Sequence, residues 1–225
     1  MYTMKIKKVS RNEDGTIVYE LENGEEKHCL AAIGGISWPL MVEGVLSYYC
    51  ILAEESISAA QRKEGQRGKL IVVREYEDPD ILSSGFSKDL TDYAKLLECS
   101  TFYTVTKEFQ ERDYSADAKL LRDYAYKKQS TVHLEEAPLS DRPDLGLRCI
   151  NKWTEEGLLK LPEESLLYNQ LKNVLREKAD QVPQMFNAVN ALRFVVCGFD
   201  QDNPAKRWDP NWRDKMPKGT WRTVT

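Results

Sequence analysis

The residue types that carry out hydrolytic chemistry are thinly spread in this 225-residue chain. Histidine occurs twice, as His28 and His133, and neither stands in a nucleophile–base arrangement; there is no Gly-x-Ser-x-Gly elbow. No Gly-x-x-x-x-Gly-Lys-Ser/Thr loop is present, so ATP-driven work has no seat here. Cys-x-x-Cys is absent too, which argues against a structural zinc site. Carboxylates follow one apolar run, as Glu77, Asp78 and Asp80, and this acidic cluster reads as a solvated loop. Near the end of the chain the polar positions of an apolar helix are Asn187 and Asn190. An amide is a neutral ligand and lacks the charge that holds hard divalent cations.

The elements that would position these residues alternate strand and helix. Residues 5–28 read as a hairpin with a turn at Glu22-Asn23-Gly24. Cys29-Leu30-Ala31-Ala32-Ile33 is a continuous apolar run of the buried-strand kind, and residues 47–53 and 69–76 make a second and a third strand. Residues 58–68 between them are polar and charged, an exposed loop. A helix over 87–99 takes Ser87 as its N-cap. Residues 102–106 form a fourth strand, 116–128 a helix and 130–134 a fifth strand. Further helices follow at 150–161, ending in a turn and a brief strand, and at 165–180. A separate final helix has apolar residues Phe186, Val189, Leu192 and Val196 at helical spacing. This pattern gives an α/β fold with a mixed central sheet flanked by helices.

This order, with Gly157-Leu158-Leu159-Lys160-Leu161-Pro162 and the run Ala191-Leu192-Arg193-Phe194, resembles the C-terminal nuclease domain of phage large terminases. The resemblance covers residues 29–199 and implies a ribonuclease H-like fold. It also implies three or four acids at the carboxyl ends of neighbouring strands, holding two divalent metals. The first of those positions falls at Gly34 or Gly35, where no acid stands. The second matches Glu75-Tyr76 and is the one retained catalytic and metal-binding candidate; the plain alternative is an exposed strand-end glutamate. The third falls at Thr106, beside Lys107, with Glu108 two residues further as a substitute. The fourth falls at Asn187 or Asn190.

With most of its acids replaced, such a domain is expected to act in binding or assembly, in phage or mobile-element biology. An active Mg- or Mn-dependent endonuclease of viral DNA packaging, using Glu75 and Glu108, is the second expectation; otherwise no cofactor is expected. The third is an α/β interaction module unrelated to nucleases. On this division residues 1–28 form a hairpin extension, 29–199 the nuclease-like domain and 200–225 a tryptophan-rich tail. The tail carries Trp208, Trp212, Arg213 and Trp221, residue types favoured at protein interfaces and able to stack on single-stranded nucleic acid. A phage packaging protein or another protein is therefore the expected tail partner, with DNA as an alternative. The 32 basic and 36 acidic residues leave a formal net charge of −4, no nucleic-acid footprint in itself. Five widely spaced cysteines read as reduced thiols. No segment has the roughly 18 apolar residues of a membrane span and no signal peptide opens the chain. The expected location is cytoplasmic, in a host cell if the gene is a phage's.

Overall fold

In the computed structural model, the residues described are 2–38, 46–78, 85–105, 121, 123, 126–127, 132–139, 142–174 and 186–201. Two glycine turns begin the sheet. Gly15 and Gly24 hold φ of +85° and +82°, a region open to glycine without a Cβ penalty. Just before them Asp14 and Asn23 accept the N–H groups of Thr16 (2.9 Å) and Glu25 (3.0 Å). These turns join β1 (Ile6–Arg11), β2 (Ile17–Leu21) and β3 (Glu26–Ser37) into an antiparallel meander.

β3 is twelve residues long and serves three neighbours. Along one edge it pairs with β4 (Tyr48–Glu55). Its other edge is divided: Glu26–Cys29 pair with β2, and Ile33–Gly35 pair in parallel with β6 (Thr101–Thr104). The sheet continues from β4 to β5 (Leu70–Glu77), antiparallel, and from β6 to β7 (His133–Glu136), parallel. Its core order is therefore β5-β4-β3-β6-β7. Three antiparallel strands followed by two parallel to the first is the ribonuclease H-like arrangement expected above. Beyond β5, the two-residue β8 (Leu159–Lys160) pairs with Leu70 and Ile71. The bridge Thr3–Arg74 covers the rest of that edge, with Met4 N–H donating to Val73 O and Glu75 N–H to Tyr2 O, both at 2.9 Å. An edge so covered offers no template for pairing with another chain.

Helices cover both faces. α1 (Ala59–Lys63) lies in the β4–β5 connection, and α2 (Gly85–Leu96) packs one sheet face with Phe86, Leu90 and Ala94. The opposite face carries α3 (Pro143–Glu155), α4 (Leu166–Val174) and α5 (Asn187–Gln201) through Ile150, Trp153, Leu167, Leu171, Leu192 and Val196. Among the described residues no helix is long and apolar enough to cross a membrane.

Several boundaries differ from the sequence expectation, each for a local reason. The charged 58–68 connection contains α1, started by a capping box in which Ser58 Oγ and the Gln61 side chain satisfy each other's backbone N–H. α2 starts two residues before Ser87, because the Asp78 carboxylate takes the Phe86 N–H at 3.1 Å. α3 starts at Pro143 rather than residue 150, with proline in the first turn where its missing N–H costs nothing. β3 does not end at the glycine pair. Gly35 lies beneath α5, and a Cβ there would sit 2.2 Å from Ala191 O. The glycine is thus a close-approach residue inside a strand. Gly35→Ala is expected to lower stability by about 2–3 kcal/mol, read from the midpoint of urea unfolding; an unchanged midpoint would contradict the helix seating.

Candidate functional site

The register places two rows of side chains beneath the start of α5. One row runs Gly35–Cys50–Glu75 and the next Ser37–Tyr48–Glu77, across β3, β4 and β5. Residues directly opposite in antiparallel strands share a face. This is the carboxyl end of β3 and β5, where a ribonuclease H-like nuclease would gather its acids.

Glu75 is fully buried. Its Oε1 accepts the Leu166 N–H at 2.9 Å, and its Oε2 accepts the Leu167 N–H at 3.2 Å and the Tyr48 hydroxyl at 2.7 Å. Those N–H groups open α4 and have no partner within the helix. The third, on Tyr168, donates to Ser165 Oγ at 3.0 Å, and that hydroxyl donates to Pro162 O at 2.6 Å. A local serine and a glutamate 91 residues distant thus share one helix start, where the helix dipole favours negative charge. Burial, reinforced by neighbouring Cys50 and Glu75, pushes the Tyr48 phenol well up. It stays protonated and keeps donating.

Asn187 is buried on the same face. Its Nδ2 donates to Leu46 O at 2.7 Å and to Glu77 Oε1 at 3.0 Å, while its Oδ1 accepts from Gln170 Nε2 at 3.1 Å. Gln170 in turn accepts the Ala188 N–H at 3.0 Å, so α4 supplies a cap for α5. The Asn187 position demands a donor pair facing a carbonyl and a carboxylate, which an aspartate cannot provide. Asn190, one turn later, is also buried.

On the other sheet face Arg74 is 5% exposed, and its Nη2 donates to both carboxylate oxygens of Asp89 of α2, Oδ1 at 2.9 Å and Oδ2 at 2.7 Å. Tyr49 Oη donates to the same carboxylate, Arg74 Nη1 donates to Thr3 Oγ1, and the guanidinium lies 3.9 Å from the Tyr93 ring. Burial first, and Asp89 next, raise the Tyr49 phenol well above its ordinary value.

Set against the sequence expectations, the face gathers Gly35, Glu75 and Asn187, with Asn190 buried further along α5. Gly34 is not among them: it points at Phe102, whose ring carbons lie 2.1 Å from a Cβ built there. The residue at the carboxyl end of β3 on this face is Ser37, which is buried. The reading of Glu75 as an exposed strand-end residue is overturned by its complete burial. Asp78, expected in a solvated loop, is 2% exposed because it caps α2. Sequence reading missed Tyr48, Gln170 and the Arg74–Asp89 pair; an arginine inside the apolar run 70–76 was the available signal. Thr106, Lys107, Glu108, Asp80, Trp208, Trp212, Arg213 and Trp221 lie outside the described residues. Among the described residues no group of three or more His, Cys, Asp or Glu side chains could hold a metal ion.

No protein-family model matches the sequence, and no curated protein does. Among solved structures, the fowlpox virus Holliday junction resolvase superimposes with a TM-score of 0.43 at 10% identity, over 76% of this chain and 98% of that one. The fold is ribonuclease H-like. That assignment rests on the strand order, and so loose a superposition lends this chain neither activity nor substrate.

Glu75→Gln would turn an N–H donor toward one of the donors Glu75 now accepts from. A loss of about 2–4 kcal/mol is expected in denaturant unfolding, with Tyr48→Phe costing about 1 kcal/mol. A gain in stability from Glu75→Gln, the signature of a carboxylate held under electrostatic strain for metal binding, would sink the capping role.

Proposed function

We propose that this chain is a terminase-nuclease-like domain that has given up two-metal hydrolysis and serves in binding or assembly. The observation that carries this reading is the state of Glu75. A catalytic carboxylate must present lone pairs to metal ions, and three of the four acceptor sites of Glu75 are taken by Leu166, Leu167 and Tyr48. Asn187 supports it, since its amide hydrogens face Glu77 and Leu46 and its oxygen faces Gln170. Neither group is turned outward as a ligand. On this reading Mg or Mn plays no resident part, and contact with a protein or with DNA falls to surfaces away from this face, the 200–225 tail foremost.

The direct test is plasmid nicking with Mn²⁺ and Mg²⁺, beside thermal melts in the same metals. Intact plasmid and an unmoved melting temperature are expected. Metal-dependent nicking that disappears in a folded Glu75→Ala variant would restore the endonuclease.

A second test reverses the amide. Asn187→Asp sets a carboxylate against Glu77 and strips Leu46 O of its donor. In metal-free buffer near pH 8 it is expected to cost about 2–4 kcal/mol. Added Mn²⁺ should recover part of that loss in the variant while leaving the parent chain unmoved. A variant as stable as the parent without metal would contradict the donor role of Asn187.

A further inference from the structure

α3 and α5 meet in successive layers whose residue numbers rise together, so the two helices run in the same direction where they touch. In the first layer a Cβ on Gly146 would lie 2.2 Å from Arg193 Cγ and Cδ, which marks a close approach of the α3 backbone. In the last, Trp153 lies 4.9 Å beneath the Arg67 guanidinium, whose Nη1 donates to Phe199 O at 2.8 Å. One turn beyond Gly146 and Arg193, between those layers, stand Cys149 and Cys197. The register that seats Gly146 against Arg193 sets these two side chains next to each other across the helix pair, and Cys149 is the neighbour that acts most on the Cys197 thiol. Cys149 is part-exposed, Cys197 is 2% exposed, and both are reduced. The remaining cysteines, Cys29, Cys50 and Cys99, are all buried.

Two thiols set side by side across a helix pair, one part-exposed and one sealed, have the placement that a peroxidatic and a resolving cysteine need. We propose that Cys149 and Cys197 are a redox pair that a peroxide converts to a disulfide, tying α3 to the helix that carries Asn187 and Asn190. The Cys149 sulfur attacks the peroxide O–O bond, becoming a sulfenic acid and releasing one water. Cys197 then displaces the sulfenic oxygen as a second water while the S–S bond forms. Two electrons and two protons leave the thiols, and the peroxide is reduced. The hydrogen bond to Cys149, followed by burial, holds the Cys197 thiol well above its ordinary range. Cys149, the part-exposed member, meets the oxidant, and Cys197 gives up its proton as it attacks the sulfenic sulfur.

The test treats the folded full chain with hydrogen peroxide and follows intact mass, a non-reducing peptide map and thermal melting. Expected are the loss of two hydrogens, one linked peptide pair containing Cys149 and Cys197, and a melting temperature raised by roughly 5–10 °C and restored by dithiothreitol. Cys149→Ser, at a part-exposed site, should abolish linkage and shift while leaving the reduced melt near that of the parent. Oxygen added to Cys149 with Cys197 still a thiol would overturn the pairing. So would unreacted thiols, or a cross-link that forms only in urea.

Discussion

Everything on the three-helix face depends on one buried carboxylate at a helix start. Glu75 supplies what Leu166 and Leu167 lack, and Tyr48 fixes the carboxylate from the neighbouring strand. α4, held in place, presents Gln170 to the first turn of α5. α5 then lies across β3 over Gly35. The order of dependence is strand, cap, helix, cap, helix. Removing the first member leaves buried donors unpaired, a cost of about 1–3 kcal/mol each, before any loss of packing.

The same end of β5 serves both faces through five consecutive residues. Pleating sends Arg74 and Tyr76 to the α2 side, where Arg74 holds Asp89 and Tyr76 stacks on Tyr49. Glu75 and Glu77 turn to the opposite side, toward α4 and α5. Asp78, just past the strand, caps α2. Arg74, Glu75, Glu77 and Asp78, of which the last two read from sequence as part of a solvated loop, are the attachment points of three helices. Buried charges survive only when their polar atoms are satisfied: Arg74 is paired with Asp89, and Glu75 and Asp78 accept backbone N–H groups at helix starts. A nuclease would need the same acids at this strand end for metal. A carboxylate whose oxygens are taken by a helix start cannot also neutralise a cation, so capping and catalysis compete for one side chain.

The strands were legible because continuous apolar runs such as 48–53 and 70–73 are buried on both faces. A mixed α/β sheet flanked by helices followed from that pattern; its ribonuclease H-like order was what the family resemblance implied. Some of what was misread had a local signal. Ser58 and Gln61 have capping-box spacing, and Pro143 marks the first turn of α3. The glycine pair in β3 misled because a turn and a close approach use the same residue type, and only the position of α5 separates them. Long-range caps had no signal at all. Nothing near Glu75 in sequence indicates Leu166, and nothing near Asn187 indicates Glu77, 110 residues away.

The run Ala191-Leu192-Arg193-Phe194, the motif that suggested a nuclease, is accounted for by packing alone. Ala191 lies where its carbonyl would be 2.2 Å from any Cβ on Gly35, so a small residue meets a missing one. Leu192 and Phe194 are buried in the core of the three-helix face. The stem of Arg193 fits against Gly146, where no side chain rises from α3. None of the four residues requires a metal or a substrate to explain it. A final helix laid across the first core strand of a ribonuclease H-like sheet needs these contacts whether or not the acids nearby cut anything. The motif therefore reports the fold. On the proposed function, the position that matters lies one turn earlier, at Asn187, whose amide donates to Glu77.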